Sequence, residues 1–196
     1  MHTFGVALLP QDVLDVRERI RDLLAPYYSE MEVEPYKNFY STERALALAK
    51  HHKAGSDLEL LVRILQKKGY DDVGVEAGRF YRLSTYNPRA KWDYWGIGGR
   101  YDRNMFDATT AQWGQRKGWD EHVCANICLV SLLPADVIPA TIITPDGAWH
   151  ACEDVGWRMM STAEEQATAW AAWEDRARWL LQQYGDCLAV GLDIHS

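Results

Sequence analysis

Ala140-Thr141-Ile142-Ile143-Thr144-Pro145-Asp146-Gly147-Ala148-Trp149-His150-Ala151-Cys152 is the stretch that decides the fold. An apolar β-branched run meets Pro-Asp-Gly, and a second run of similar length follows. Proline presets a turn dihedral, Asp bonds back to the backbone and Gly accepts positive φ, so the two runs read as a hairpin. Downstream, Thr162 and Glu165 form a capping box that opens the longest helix. Its stripe of Ala167, Trp170, Trp173, Ala177, Leu180 and Leu181 keeps helical spacing until Gly185. Cys187 to Ile194 then alternates as a final strand.

Upstream, Thr3 to Leu9 reads as a strand. Pro10 and Asp12 open a helix, with Asp12 as its N-cap, Val13, Val16, Ile20, Leu23 and Leu24 on one face, and Pro26 as its stop. The order strand, helix, hairpin, helix, strand is the βαββαβ pattern of a ferredoxin-like α+β fold. Residues 1–196 are expected to form a single domain, with a core of 1–25 and 121–196 and an insertion at 26–120 between the first helix and the hairpin. Those 95 residues are too many for a bare loop, so the insertion must be partly helical. Within it, 26–39 reads as loop and Ser41 opens a short helix. Ser56 with Glu59 caps another helix, through Leu58, Leu61, Val62 and Leu65, and Arg79 to Thr85 reads as a strand. Residues 111–120 carry no clear signal, 153–160 read as loop, and the apolar run 123–133 fits helix and strand equally.

Composition narrows the function. A net charge of -7 opposes general nucleic-acid binding, which needs a basic field to displace counterions. No apolar run is long enough to span a membrane, and no basic segment precedes the first apolar run as in a signal peptide. Four cysteines in apolar surroundings, with no CxxC pair, read as reduced core thiols of a cytoplasmic protein. His122, Cys124 and Cys128 lack a usual zinc spacing, so neither a metal nor a cofactor is expected.

Phe4, Val6 and Leu8 alternate with Thr3, Gly5 and Ala7, while Leu188, Val190, Leu192 and Ile194 alternate with Ala189, Gly191, Asp193 and His195. If first and last strands are neighbours, the small residues would share one shallow face. The expectation is that the insertion closes over that face, bringing Trp92, Tyr94 or Trp95 against it.

The chemistry is densest at Lys91-Trp92-Asp93-Tyr94-Trp95-Gly96-Ile97-Gly98-Gly99-Arg100-Tyr101. One reading is a ligand site of Lys91, Trp92, Asp93, Tyr94, Trp95, Gly98, Gly99 and Arg100. Rings would stack on a planar group, Lys91 and Arg100 would supply charge, and the N–H groups around Gly98-Gly99 would hold an anion. The other reading makes the rings core and the glycines turns, with Asp93 paired to Arg100 or Arg103. Both stay open. His150, Asp193 and His195 are the acid–base candidates, because histidine titrates near neutral pH and a carboxylate can orient it. Exposed strand ends would explain them as well. His51-His52 reads as a helix C-terminus favoured by the dipole.

Ser84-Thr85-Tyr86-Asn87-Pro88, the Lys-Trp-Asp-Tyr of 91–94 and the Ile-Gly-Gly-Arg-Tyr of 97–101 resemble a family of phage- and prophage-encoded proteins with no established activity. Its members carry Ser-Thr-Tyr-Asn-Pro, Lys-Trp-Asp-Trp/Tyr and Ile-Gly-Gly-Arg-Trp. The Thr144 to Gly147 turn with Trp149-His150, the Gly156-Trp157 pair and the Asp193-x-His195 close are also similar. Tyr101 departs from the family's tryptophan, and 105–140 match less clearly. The resemblance implies a phage accessory protein in a host cytoplasm, and no mechanism. The leading expectation is a binder of a small anionic planar ligand, such as a nucleotide, in a cleft between sheet and insertion. The alternatives are a small hydrolase or nucleotide-processing enzyme using His150, Asp193 or His195, and an interaction module meeting a host protein.

Overall fold

The computed structural model describes residues 1–103, 119–152 and 162–196. In chain order, strand β1 (His2–Leu9) leads to helix α1 (Val16–Leu24), strand β2 (Tyr36–Phe39) and helices α2 (Thr42–His51) and α3 (Leu58–Lys67). Strands β3 (Val73–Glu76), β4 (Arg79–Ser84) and β5 (Tyr94–Ile97) follow, then the one-turn helix α4 (Glu121–Cys124) and strand β6 (Ile127–Leu129). Strands β7 (Thr141–Ile143) and β8 (Trp149–Ala151), helix α5 (Ala163–Gln183) and strand β9 (Leu188–His195) complete the set. The mixed α+β class is as expected. No helix among the described residues is long and apolar enough to cross a membrane.

The chain forms two compact units, Met1–Ser29 with Arg89–Ser196, and Glu30–Pro88. The inserted unit is thus shorter than 26–120, and the aromatic-glycine motif lies outside it. Chain exit and re-entry are tied together within the larger unit. Lys91 N–H donates to Tyr27 O at 2.8 Å, Ser29 N–H donates to Trp92 O at 2.8 Å, and the Tyr28 and Trp92 rings lie 4.7 Å apart.

The larger unit is built on one sheet in the order β5-β9-β1-β7-β8, with β6 also paired to β9. β1 runs antiparallel to β9 and parallel to β7. β9 shares its far edge, with β6 along Leu188 to Val190 and β5 along Leu192 to His195. Alternate residues of the same strands serve two cores. Ala7, Leu9, Val190 and Leu192 pack with Ile20, Leu23 and Leu24 of α1, whereas Val6, Leu8 and Ala189 pack with Trp173, Ala177 and Leu180 of α5. The helices therefore cover opposite faces. In a ferredoxin-like sheet both helices share a face, and the second hairpin strand sits beside the first strand. Here β7 lies directly beside β1 and β8 is the edge.

The shallow small-residue face does not form. Register places Gly5 opposite Leu192, Ala7 opposite Val190, Val6 opposite Gly191 and Leu8 opposite Ala189. Paired residues point to the same side, so each small residue is filled in by a bulky neighbour. A Cβ on Gly5 would come within 2.6 Å of Ile194 Cδ1. The motif enters as strand β5 at the sheet edge instead of closing over a face.

Several local expectations shift. The cap of α1 is Asp15, whose carboxylate accepts from Glu18 N–H, and not Asp12; α3 is capped by Asp57, and not by Ser56. Thr162 and Glu165 do form the capping box of α5. The ambiguous run 123–133 divides into the end of α4, then β6. Most of 111–120 and all of 153–160 lie outside the described residues. In the smaller unit, three antiparallel strands in the order β2-β4-β3 pack Val73 and Phe80 against Ala45, Ala49, Leu61 and Leu65 of α2 and α3. β2 occupies part of what reads as loop, because its short YKNF run pairs in register with β4. The β3–β4 turn has Ala77 at φ 48 and Gly78 at φ 73, the positive pair a tight hairpin needs. Alanine at the first of these hides the turn from a sequence reader.

Candidate active site

Four titratable side chains meet where β1 begins and β9 ends. His2 and His195 are register partners, so their rings leave the same side of the sheet and stand 4.8 Å apart, centre to centre. His2 Nδ1 lies 2.7 Å from Asp193 Oδ1, and His195 Nδ1 lies 2.6 Å from Asp93 Oδ1. A carboxylate can only accept, so Nδ1 carries the hydrogen in both pairs and Nε2 is left as the basic nitrogen. The His side chains stay partly open, at 24% and 37% of their surface. Asp193, by contrast, is 3% exposed.

What encloses Asp193 is the Gly98-Gly99-Arg100 turn that leaves β5. Gly98 and Gly99 adopt φ of 69 and 55, and the turn delivers the Arg100 N–H to Asp193 Oδ2 at 3.0 Å. A Cβ on Gly99 would run into the Asp193 side chain, and one on Gly98 would meet Asn126 Nδ2 at 2.6 Å. The concavity expected to hold a ligand anion thus holds the protein's own carboxylate. Burial pushes the Asp193 carboxyl up, but the Arg100 N–H, the His2 hydrogen bond and the charges of His2 and Arg100 outweigh it, so it ionises below the ordinary carboxylate range. Asp93 is also lowered, first through its bond from His195.

A second layer fixes the turn. Buried Asn126 accepts from Arg103 N–H at 3.0 Å and donates to Asp102 Oδ1 at 2.7 Å and to His122 O at 3.0 Å. His122 Nε2 lies 2.7 Å from Ile97 O and Tyr101 donates its hydroxyl to His2 O at 3.2 Å, while the Tyr101 ring lies 5.4 Å from that of Phe4. His122 is accordingly a brace for β5. Burial pushes the Cys128 thiol up to about 12 and also raises Cys124, which suits core thiols. Among the described residues, no group of three His, Cys, Asp or Glu side chains is placed to hold a metal ion.

The motif's residues separate by strand alternation. Trp92 and Trp95 pack into the α1-side core, and Trp92 Nε1 donates to Leu24 O at 2.9 Å, satisfying a carbonyl at the end of α1. They are structural. Tyr94, opposite His195, shares the histidine side and is 56% exposed, with its hydroxyl 3.2 Å from where a Gly96 Cβ would stand. Arg100 is exposed, and Lys91 is exposed with its N–H engaged by Tyr27. Asp93 pairs with His195 and not with Arg100 or Arg103.

No family model, curated protein or solved structure matches this chain.

Of the three acid–base candidates, Asp193 and His195 come together and His150 does not. His150 is on edge strand β8, three strands from β9, roughly 14 Å at the usual spacing. There burial lowers its pKa, helped by the charge of Arg176 against that of Asp146. His2 is not among the acid–base candidates read from the sequence, where it stands only as a lone His-Thr pair. Only the pairing of the two terminal strands puts it beside Asp193.

Proposed function

We propose that the sheet end carrying His2, Asp93, Asp193 and His195 is an acid–base site acting on a small anionic ligand with a planar group, a nucleotide-like molecule being the class that fits. The observation carrying this is the pair of half-open imidazoles 4.8 Å apart, each held at Nδ1 by a carboxylate. Such a pair presents two Nε2 atoms, one able to take a proton and the other to give one. Exposed Arg100 offers charge to an anion, and exposed Tyr94 offers a ring face. The packing of half-buried Trp92 and Trp95 against the α1-side core favours processing at the histidines over stacking between tryptophans. The resemblance to phage-encoded proteins supplies a setting, an accessory role in a host cytoplasm, and no chemistry.

The test is an NMR titration of the histidine ring signals with inorganic phosphate and with adenosine 5′-monophosphate, beside thermal unfolding. The expected result is movement of the His2 and His195 signals, and stabilisation that grows with ligand concentration and is weakened in Arg100→Ala. Unmoved ring signals with every anion tried would sink the reading.

A further inference from the structure

Resting on that reading, we infer that the site cleaves phosphodiesters that bring their own nucleophile, a hydroxyl next to the phosphate as in a short ribonucleotide. The two imidazoles would divide the work of general base and general acid.

The first support is what the site lacks beside the rings. The hydroxyl of Thr3, adjacent in sequence to His2, alternates to the other side of the strand pair from His2 and His195. Tyr101's hydroxyl is committed to His2 O. Among the described residues the hydroxyls on the side of the rings are that of Tyr101, which is committed, and that of Tyr94, which lies over Gly96, so the attacking oxygen is assigned to the substrate or to water. The second support is that there are two oriented rings. One oriented imidazole suffices to activate a nucleophile. Two serve a substitution in which one oxygen loses a proton while another, poor as a leaving group, gains one. The third is charge. The Arg100 backbone N–H is bonded to Asp193, so an exposed cationic side chain starts from the residue next to the His2 carboxylate partner and is available to an anion.

The step balances with these groups alone. The unprotonated Nε2 of one ring takes the proton of the 2′-hydroxyl as that oxygen forms a new bond to phosphorus. The bond from phosphorus to the 5′-oxygen breaks, and the departing oxygen takes the proton from Nε2 of the other, protonated ring. The products are a 2′,3′-cyclic phosphate and a free 5′-hydroxyl. Water then opens the cyclic ester with the two rings in exchanged roles. Among the described residues, Asp93 and Asp193 bond to the rings, Tyr94 shares their side of the sheet, Tyr101 bonds to the His2 carbonyl, and the charges of the N-terminal amine and Arg100 are felt at Asp93 and Asp193. The net charge of -7 favours short substrates over a long polyanion, which the overall field would repel.

The test uses the full chain with uridylyl-3′,5′-adenosine and with a uridine 3′-(p-nitrophenyl phosphate), whose leaving group needs no proton. Cleavage to the 2′,3′-cyclic phosphate is expected, with a bell-shaped pH–rate profile and no loss in EDTA. His2→Ala and His195→Ala should each lose 10²-fold or more on the dinucleotide. The variant lacking the acid should keep p-nitrophenyl ester cleavage within about 10-fold, which identifies that ring. Absence of cleavage by the wild-type protein, or loss in EDTA with recovery on adding a divalent cation, overturns the inference. Phosphate-induced movement of the histidine signals without any cleavage would overturn the inference alone. No movement and no cleavage would remove both readings.

Discussion

Asp193 concentrates what single residues contribute. It is a buried carboxylate satisfied by a backbone N–H on one oxygen and an imidazole on the other, and it holds a catalytic candidate and a turn together. Its folded-state pKa is depressed. The stability it contributes is therefore fully present above the unfolded-state value, near 4, and is lost as pH falls through the folded value. Asp193→Asn should cost about 1–3 kcal/mol at pH 7, the penalty of a disrupted buried hydrogen-bond set. It should also flatten the loss of stability below about pH 4. Urea denaturation between pH 3 and 7 measures both, and a variant as stable and as acid-sensitive as wild type would show that the carboxylate carries no such role. The sequence marks Asp193 and His195 as chemically suggestive. His2 stands in it as an unpaired histidine, whose significance comes from lying opposite His195.

At the scale of elements, β5 and the turn behind it deliver the motif. Alternation sends Trp95 and Ile97 into the α1-side core and Tyr94 and Gly96 to the histidine side. The glycines beyond are required by contact as well as by dihedral. Gly99→Ala puts a Cβ into Asp193 at φ 55, where a side chain is strained whatever the space. Thermal unfolding should show a cost of about 1–3 kcal/mol, with the His2 and His195 ring signals displaced by NMR. A variant with unchanged ring signals would mean that the turn does not position the pair. Glycine spacing suggested a tight turn from the start. That its anion is internal could not be read, because Asp193 is 94 residues further along the chain.

At the scale of the molecule, the site belongs wholly to the unit Met1–Ser29 with Arg89–Ser196. The neck is closed by hydrogen bonds between 27–29 and 91–92 within that unit. Joining Ser29 to Arg89 by a short Gly-Ser linker should therefore leave a protein that unfolds cooperatively and keeps the wild-type chemical shifts of His2 and His195. Loss of cooperative unfolding would show that the larger unit needs Glu30–Pro88 to fold. The α+β class, the hairpin around Pro145-Asp146-Gly147, the capping of α5 and the terminal strands are all legible in the chain. These rest on local signals, namely period, caps and turn residues, acting within a few positions. The strand order, the opposite placing of α1 and α5, the internal anion of the Gly98-Gly99 turn and the meeting of His2, Asp93, Asp193 and His195 arise in the folded chain alone. Those depend on which strands pair and in what register. A one-residue slip between β1 and β9 would move every side chain to the other face, and no local stretch of either strand encodes that choice alone.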